Sequence, residues 1–140
     1  MGEPHEKKIL ILTFIGILVL TINGEASDKK IKVLLTIPPA VERALAGETR
    51  SYITRELRAL QDVEQIEKDP TLDHYFISVF PISLNLSNGQ STGVAISYVI
   101  EKNSDMEHNV LVGPSNELKI MCEKIVAYFD TYWLQRERKK

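Results

Sequence analysis

Cysteine is nearly absent from this 140-residue chain, which contains only Cys122. A single cysteine excludes an intrachain disulfide and any zinc centre built from several cysteine ligands. The chain has no excess of positive charge either, because 17 Lys and Arg side chains face 19 Asp and Glu side chains and the formal net charge is −2. Nucleic-acid-binding domains normally carry a basic excess. We therefore expect no nucleic acid among the partners.

The sequence also lacks the short motifs by which catalytic and cofactor sites are usually recognised. Its seven glycines form neither of the glycine-rich loops that bind phosphate groups. The paired-histidine signature of zinc proteases, the paired-cysteine redox motif and the serine-centred elbow of hydrolases are absent too. The composition is otherwise that of a folded domain, with 44% hydrophobic and 26% charged residues. The sequence therefore predicts no cofactor and nominates no catalytic or metal-ligating residue.

An uncharged apolar run occupies residues 9–22. Lys7 and Lys8 precede this run, and the small residues Gly24 and Ala26 follow it. This order of charged, apolar and small residues is typical of a secretory signal peptide. At ~1.5 Å of rise per helical residue the run would extend roughly 21 Å, which is less than the ~30 Å hydrocarbon core of a bilayer.

We therefore predict that residues 1–26 are a cleaved signal peptide and that residues 27–140 form one exported domain, periplasmic or secreted. An uncleaved membrane anchor is the alternative, because Glu3 and Glu6 weaken the positive charge that precedes the apolar run. Contact with a membrane is expected only in that anchored form.

Hydrophobic periodicity divides the rest of the chain into strands and helices. Alternating or β-branched runs predict strands over 31–37, 62–67, 74–86, 91–102 and 110–112, with a polar loop over 103–109. Helical spacing predicts one helix within 41–60 and a second that begins at Ser115 or Asn116 and continues into the basic C-terminus. The expected fold class is α+β, an antiparallel sheet with two helices packed on one face.

The two long strands are predicted to form a hairpin around Ser87-Asn88-Gly89. A two-residue loop would place their apolar sets on opposite faces of the sheet, whereas a three-residue loop with a left-handed glycine would place them on the same face. The register that follows pairs Phe80 with Ile96. It also pairs Ile82 with Val94.

The segment from Thr49 to Ser97 carries a recognisable order of features: a helix with Glu56-Leu57-Arg58-Ala59-Leu60, then Val63 to Ile66, Asp73-His74-Tyr75, and a long strand pair with Gly93-Val94-Ala95-Ile96-Ser97. This order resembles the small α/β modules of bacterial envelope proteins, such as the curli-secretion lipoprotein and the N-terminal domain of the Tol translocation β-propeller protein. The chain departs from the lipoproteins because it lacks their lipid-modified cysteine. The resemblance implies a role in envelope assembly or binding, not catalysis.

Two histidines follow the N-terminal segment, and each comes directly after an acidic residue: His74 after Asp73, and His108 after Glu107. An acid can orient a histidine as a general base, but adjacent residues of a strand point to opposite faces. We interpret both histidines as structural or solvated. The alternative function, a small secreted hydrolase or metal-dependent enzyme, would use His74 or His108.

An acidic stretch includes Asp62, Glu64, Glu67, Asp69 and Asp73. It lacks the glycine and the spacing of a calcium loop, so we interpret it as a solvated edge that discourages unwanted strand pairing.

The C-terminal helix carries the remaining candidates. Its apolar spacing predicts a buried, inert thiol at Cys122 and core packing for Phe129 and Tyr132. Trp133 lies off that stripe and is a candidate for contact with a partner.

The function predicted from the sequence is an exported, non-enzymatic binding or assembly module of the cell envelope. An unpaired apolar strand at a sheet edge can accept a strand from another chain. The candidate edges are 31–37, 62–67 and 110–112, of which the second is protected by its acids. We expect a protein partner or a second copy to contact Val110, Leu111, Val112 and Trp133.

Overall fold

A computed structural model describes residues 29–68, 71 and 73–140, so the predicted signal peptide lies outside the described residues. The strands are β1 (Ile31–Thr36), β2 (Val63–Ile66), β3 (Tyr75–Asn85), β4 (Ser91–Lys102) and β5 (Asp105–Gly113). The helices are α1 (Arg43–Ala59), α2 (Leu118–Phe129) and the short α3 (Gln135–Arg138). A 3-10 turn (Ser115–Glu117) precedes α2, and a π-helical segment (Asp130–Leu134) joins α2 to α3.

The strands form one mixed sheet in the order β2-β1-β3-β4-β5. β1 runs parallel to both of its neighbours, whereas β3, β4 and β5 are antiparallel. The prediction of an α+β fold is confirmed, but the prediction of an antiparallel sheet is wrong. Parallel pairing requires a crossover connection, and α1 provides one between β1 and β2. β3, the next strand along the chain, lies on the opposite side of β1 from β2.

The two edges of the sheet are β2 and β5. The expectation that 31–37 could form an edge is therefore wrong, because β1 is flanked on both sides. The predicted loop over 103–109 is also wrong. A turn at Asn103 and Ser104, with Asn103 at φ 57°, connects β4 directly to β5, which begins at Asp105.

One face of the sheet, here called the inner face, is covered by α1 and α2. Both helices contribute to a single hydrophobic core with the inward side chains of β1, β3 and β4. Ile53 and Leu57 of α1 are fully buried in it, and so are Ile125 and Phe129 of α2. Phe129 packs edge-to-face against Tyr75 with ring centroids 5.2 Å apart. The opposite side of the sheet, the outer face, carries neither helix.

The β3–β4 hairpin has its glycine where the sequence predicts it, but its register differs. Gly89 has φ 81°, and the loop is closed by a hydrogen bond from the Leu86 N–H to the Gln90 carbonyl. Ser97, not Ile96, lies opposite Phe80, and Ala95, not Val94, lies opposite Ile82.

The buried set of β3 is the odd-numbered one, Tyr75, Ile77, Val79 and Pro81, and not the even-numbered set that the sequence favoured. Both sets are largely apolar, so alternation alone does not determine which of them faces the helices.

The π-helical segment changes which aromatic residue enters the core. A π turn contains one more residue than an α turn, so it rotates the following side chains around the helix. Tyr132, predicted to be buried, is 53% exposed, whereas Trp133 is only 6% exposed and packs edge-to-face on Tyr75. The prediction for Phe129 is confirmed and the prediction for Tyr132 is wrong.

Candidate interaction surface

The outer face carries exposed apolar side chains on two rows that cross the sheet. One row is Phe80, Ser97 and Val110, and the other is Ile82, Ala95 and Val112. Phe80, Ile82, Val110 and Val112 are all exposed. We call the set Phe80, Ile82, Ala95, Val110 and Val112 the outer patch. Contiguous exposed apolar surface on a folded domain is typical of an interaction site.

The outer patch ends at a strand edge whose hydrogen-bonding groups face outward. In a hairpin with a two-residue turn, the residues that flank the turn exchange both backbone hydrogen bonds, and the bonded pairs then alternate. Asp105 pairs with Lys102 in this way, so the odd-numbered residues of β5 bond to β4. The N–H and C=O groups of Met106, His108, Val110 and Val112 therefore point away from the sheet. Among the described strands, β5 pairs with β4 alone.

The structure separates the four residues that the sequence nominated for partner contact. Val110 and Val112 lie on the outer face and are exposed. Leu111 points inward and packs partly against the core, and Trp133 is buried beneath the inner face. The nominated residues thus lie on opposite sides of the sheet, and only Val110 and Val112 belong to the outer patch.

Sequence reasoning did not nominate Phe80, Ile82 or Met106. The even-numbered apolar residues of β3 are a clear signal in the sequence, but the predicted register used them to match Ile96 and Val94 on the same face of the hairpin. β3 has apolar residues on both of its faces, and only one face of a strand can pack against the two helices. This pattern was the indication that the other face remains exposed.

The inner side of β5 is tied to α2 through Glu107. The Tyr128 hydroxyl donates a hydrogen bond to the Glu107 carboxylate, and Asn109 Nδ2 donates another over 3.2 Å. These hydrogen bonds, that of Tyr128 first, lower the pKa of Glu107. The same contact raises the pKa of Tyr128 to about 12. The exposed ring of Tyr132 packs against that of Tyr128 with a centroid distance of 4.5 Å.

The two candidate histidines lie in different environments, one buried and one exposed. His74 is buried, and its ring lies 4.3 Å from that of Phe76. His108 is exposed on the outer face, and its Nε2 shares a 2.7 Å hydrogen bond with Ser97 Oγ. The acidic residues that precede them in the sequence have other partners: Asp73 pairs with Lys29 at 4.0 Å, and Glu107 accepts a hydrogen bond from Tyr128. Within the described ranges, no group of three or more His, Cys, Asp or Glu side chains could hold a metal ion.

A cluster of charged groups lies at the end of the sheet where β1 begins. Glu137 accepts hydrogen bonds from the Tyr75 hydroxyl over 3.0 Å and from Lys102 Nζ over 3.2 Å. Burial would raise the pKa of Glu137, but these bonds and one from Lys140 lower it. Arg138 bonds both oxygens of Asp62, at 2.6 and 2.8 Å, and pairs with Asp130 at 2.7 Å. These ion pairs hold α3 against the start of β2.

Two cavities lie away from the outer patch. One of about 420 Å³ borders the charged cluster and is lined by His74, Lys102 and Glu137 among others. A larger and more open one of about 780 Å³ lies beside α1, with Arg50, Arg55 and Arg58 along its rim. Neither Ser97 nor His108 lines either cavity, and His108 is exposed on the outer face.

Cys122 is fully buried, as the sequence predicts. Burial raises the pKa of its thiol to about 12, with smaller contributions from Glu123 and Glu56. A thiol with this pKa is protonated at neutral pH and is a poor nucleophile.

Comparisons with known proteins give distant structural similarity and no family. No protein-family model matches the chain, and no curated protein matches its sequence. Among solved structures, the chain is similar to a single-substitution variant of PelC, described as a dodecamer, from Paraburkholderia phytofirmans. The two are 15% identical, and the alignment covers 71% of this chain and 84% of the PelC chain with a TM-score of 0.43. A likeness of this degree carries no conclusion about function. None of the described helices is long and apolar enough to cross a membrane.

Proposed function

We propose that this protein is an exported, non-enzymatic binding or assembly module of the cell envelope, and that it binds protein through the outer patch and the adjoining edge of β5. One observation carries the proposal. Among the described residues, the helices cover one face of the sheet, and the other face exposes apolar side chains that reach β5, an edge strand that pairs with β4 alone. Strand addition at such an edge, with side chains docking on the neighbouring face, is a common mode of protein recognition.

Part of the apolar surface lies where a partner could contact the outer patch and the β5 edge together. Val110 and Val112 belong to the outer patch and to the edge strand. A partner strand beside β5 would satisfy outward backbone groups and contact these two side chains together. The rigid attachment of β5 through Glu107 and Tyr128 favours binding, because little of the edge has to become ordered.

A matched pair of lysine substitutions tests the surface. Ile82 is exposed in the outer patch, and Ile120 is an exposed apolar residue on α2, away from it. In a cross-linking capture from native envelope fractions, we expect Ile82→Lys to lose the proteins that the wild type captures and Ile120→Lys to retain them. An unchanged set of captured proteins with Ile82→Lys would contradict binding through the outer patch.

Export is tested separately by the mass of the protein recovered from its native host. The proposal expects an N-terminus at Ser27 and recovery without detergent. A full-length product in the membrane fraction would instead indicate the anchored form.

The Ser97–His108 hydrogen bond supports a second candidate function, a small secreted hydrolase in which His108 would act as base for Ser97. The pair lies on an open sheet surface, and in the part of the chain that the structure describes His108 has no hydrogen bond to an acid that would orient it. A fluorophosphonate probe separates the two functions. Our proposal expects no covalent labelling, whereas labelling that is lost in Ser97→Ala would establish the hydrolase.

A further inference from the structure

We propose that the partner at the β5 edge is a second copy of this chain, paired antiparallel about a two-fold axis through Asn109. The inference rests on the proposed function, since it names the occupant of the same edge. It follows from the outward backbone groups, the exposed side chains, the distribution of charge and the nature of the two sheet edges.

The backbone groups of β5 determine which registers are possible. Its outward N–H and C=O groups belong to the even-numbered residues, so even-numbered residues of the two copies must face each other. An axis through Asn109 pairs Met106 of one copy with Val112 of the other, and His108 with Val110. This register overlaps all nine residues of each strand, Asp105–Gly113. It leaves no outward group of β5 unpaired.

The same register brings the most exposed apolar side chains together. Met106 and Val112 are 69% and 68% exposed, more than any other large hydrophobic side chain in the described residues. Directly opposite residues of antiparallel strands have Cβ atoms about 4.5–5.5 Å apart. Each Met106 would therefore cover the Val112 of the other copy.

Charge favours antiparallel pairing of identical strands. β5 carries two acids, Asp105 and Glu107, both near its start. In the proposed register they face Gly113 and Leu111 of the other copy. The two Glu107 side chains are then ~14 Å apart along the strands, at ~3.4 Å per residue, which exceeds the Debye length of about 8 Å at physiological salt. Parallel pairing of two copies would instead place the like charges side by side.

The two edges of the sheet explain why the assembly would stop at two copies. β5 is nine residues long, contains neither lysine nor proline and pairs with β4 without a bulge. Its two acids lie near its start, and Glu107 is already bonded to Tyr128, so β5 has fewer of the usual protections against strand addition than β2. β2 has only four residues and includes Glu64. A β5–β5 pair leaves only these short β2 edges exposed. The symmetry is closed, and the outer patches of both copies lie on one continuous face.

Cysteine cross-linking tests the register because the native thiol does not interfere. Asn109→Cys would place two sulfurs at the two-fold axis in a non-hydrogen-bonded pair, with Cα atoms ~4.5 Å apart, within the range that a disulfide spans. His108→Cys and Val110→Cys would cross-link efficiently only if the axis lay at those positions. We expect mild oxidation to give a disulfide dimer with Asn109→Cys and at least about tenfold less with the other two variants. Buried Cys122 serves as the unreactive background.

Sedimentation of the unsubstituted protein measures its oligomeric state without the use of any variant. We expect twice the monomer mass, and we expect Val112→Lys to return the protein to a monomer with an unchanged circular dichroism spectrum. A monomeric wild type without the Asn109→Cys cross-link would overturn the dimer. If the captured envelope proteins still depended on Ile82 in that case, the proposed function would stand and only the dimer would fall. Preferential cross-linking through His108→Cys or Val110→Cys would overturn the register.

Discussion

The two faces of β3 differ in environment far more than in composition. Ile77 and Val79 point inward and are fully buried, whereas Phe80 and Ile82 point outward and are exposed. All four are large apolar residues of one strand. Burial of an apolar side chain stabilises the fold only where other atoms cover it. The inner residues therefore contribute to the stability of the folded chain, whereas the outer ones, being exposed, contribute little and are accessible to another molecule.

The C-terminal helix shows the same contrast between neighbouring residues. Trp133 packs on Tyr75 inside the core, and Tyr132 projects into solvent. We expect Trp133→Ala to lower the free energy of unfolding by about 3–5 kcal/mol, the usual range for a buried aromatic residue. Tyr132→Ala should change it by less than about 1 kcal/mol. Urea denaturation at low protein concentration measures both free-energy changes. Equal losses would show that the π-helical segment does not determine which of the two side chains faces the core.

A pair of isoleucines on β3 tests the two faces directly. Ile77 is fully buried and Ile82 is 57% exposed. We expect Ile77→Ala to cost about 2–5 kcal/mol of unfolding free energy and Ile82→Ala less than about 1 kcal/mol. The measurement is again a denaturation curve for the monomer. A larger loss for Ile82→Ala would mean that the even-numbered residues form the core, and the outer patch would cease to exist as a surface.

The smallest expected effect concerns the ion pairs that hold α3. The hydrogen bonds from Arg138 lower the pKa of Asp62 below its usual value of 3.8. A carboxyl with a lowered pKa stabilises the folded state above its unfolded pKa, and this contribution is lost as the pH falls through the folded pKa. We expect Arg138→Met to cost about 1 kcal/mol at pH 7, because both side chains are about one third exposed.

The cost of Arg138→Met should shrink as the pH drops below about 4, in denaturation curves recorded at a series of pH values. Arg50→Met is the control, since Arg50 makes no ion pair with any described residue. A cost for Arg138→Met that did not vary with pH would show that the cost does not come from its ion pairs with Asp62 and Asp130.

Much of the fold is predictable because periodicity and turn chemistry are local properties. The helices, the long hairpin and the left-handed Gly89 all follow from such patterns. The direction of β2 does not, because parallel pairing depends on how α1 packs and not on the residues of β2 itself. The length of β5 was underestimated because Met106, His108 and Asn109 are not typical strand residues. Their strand conformation comes from pairing with β4.

The interaction surface was only half predictable. Val110 and Val112 could be nominated because an uncharged β-branched run is a recognisable edge signal. Trp133 could not be placed, since one additional residue in the π-helical segment exchanges it with Tyr132. Phe80 and Ile82 were misplaced because each face of β3 would make an acceptable core. Only the packing of the helices distinguishes the two faces.

The central position of β1 has a consequence for the order in which the fold assembles. The hairpins β3–β4 and β4–β5 need only short loop closures, whereas β1 pairs with β2 and β3 across long stretches of sequence. Pairings that close long loops form slowly, since the entropy lost on closure precedes any gain from contacts. During synthesis, β1 emerges before the other described strands and has no neighbour until β2 (Val63–Ile66) follows. Its second neighbour, β3, begins only at Tyr75. The first of the described strands to leave the ribosome would thus be among the last to have both of its neighbours.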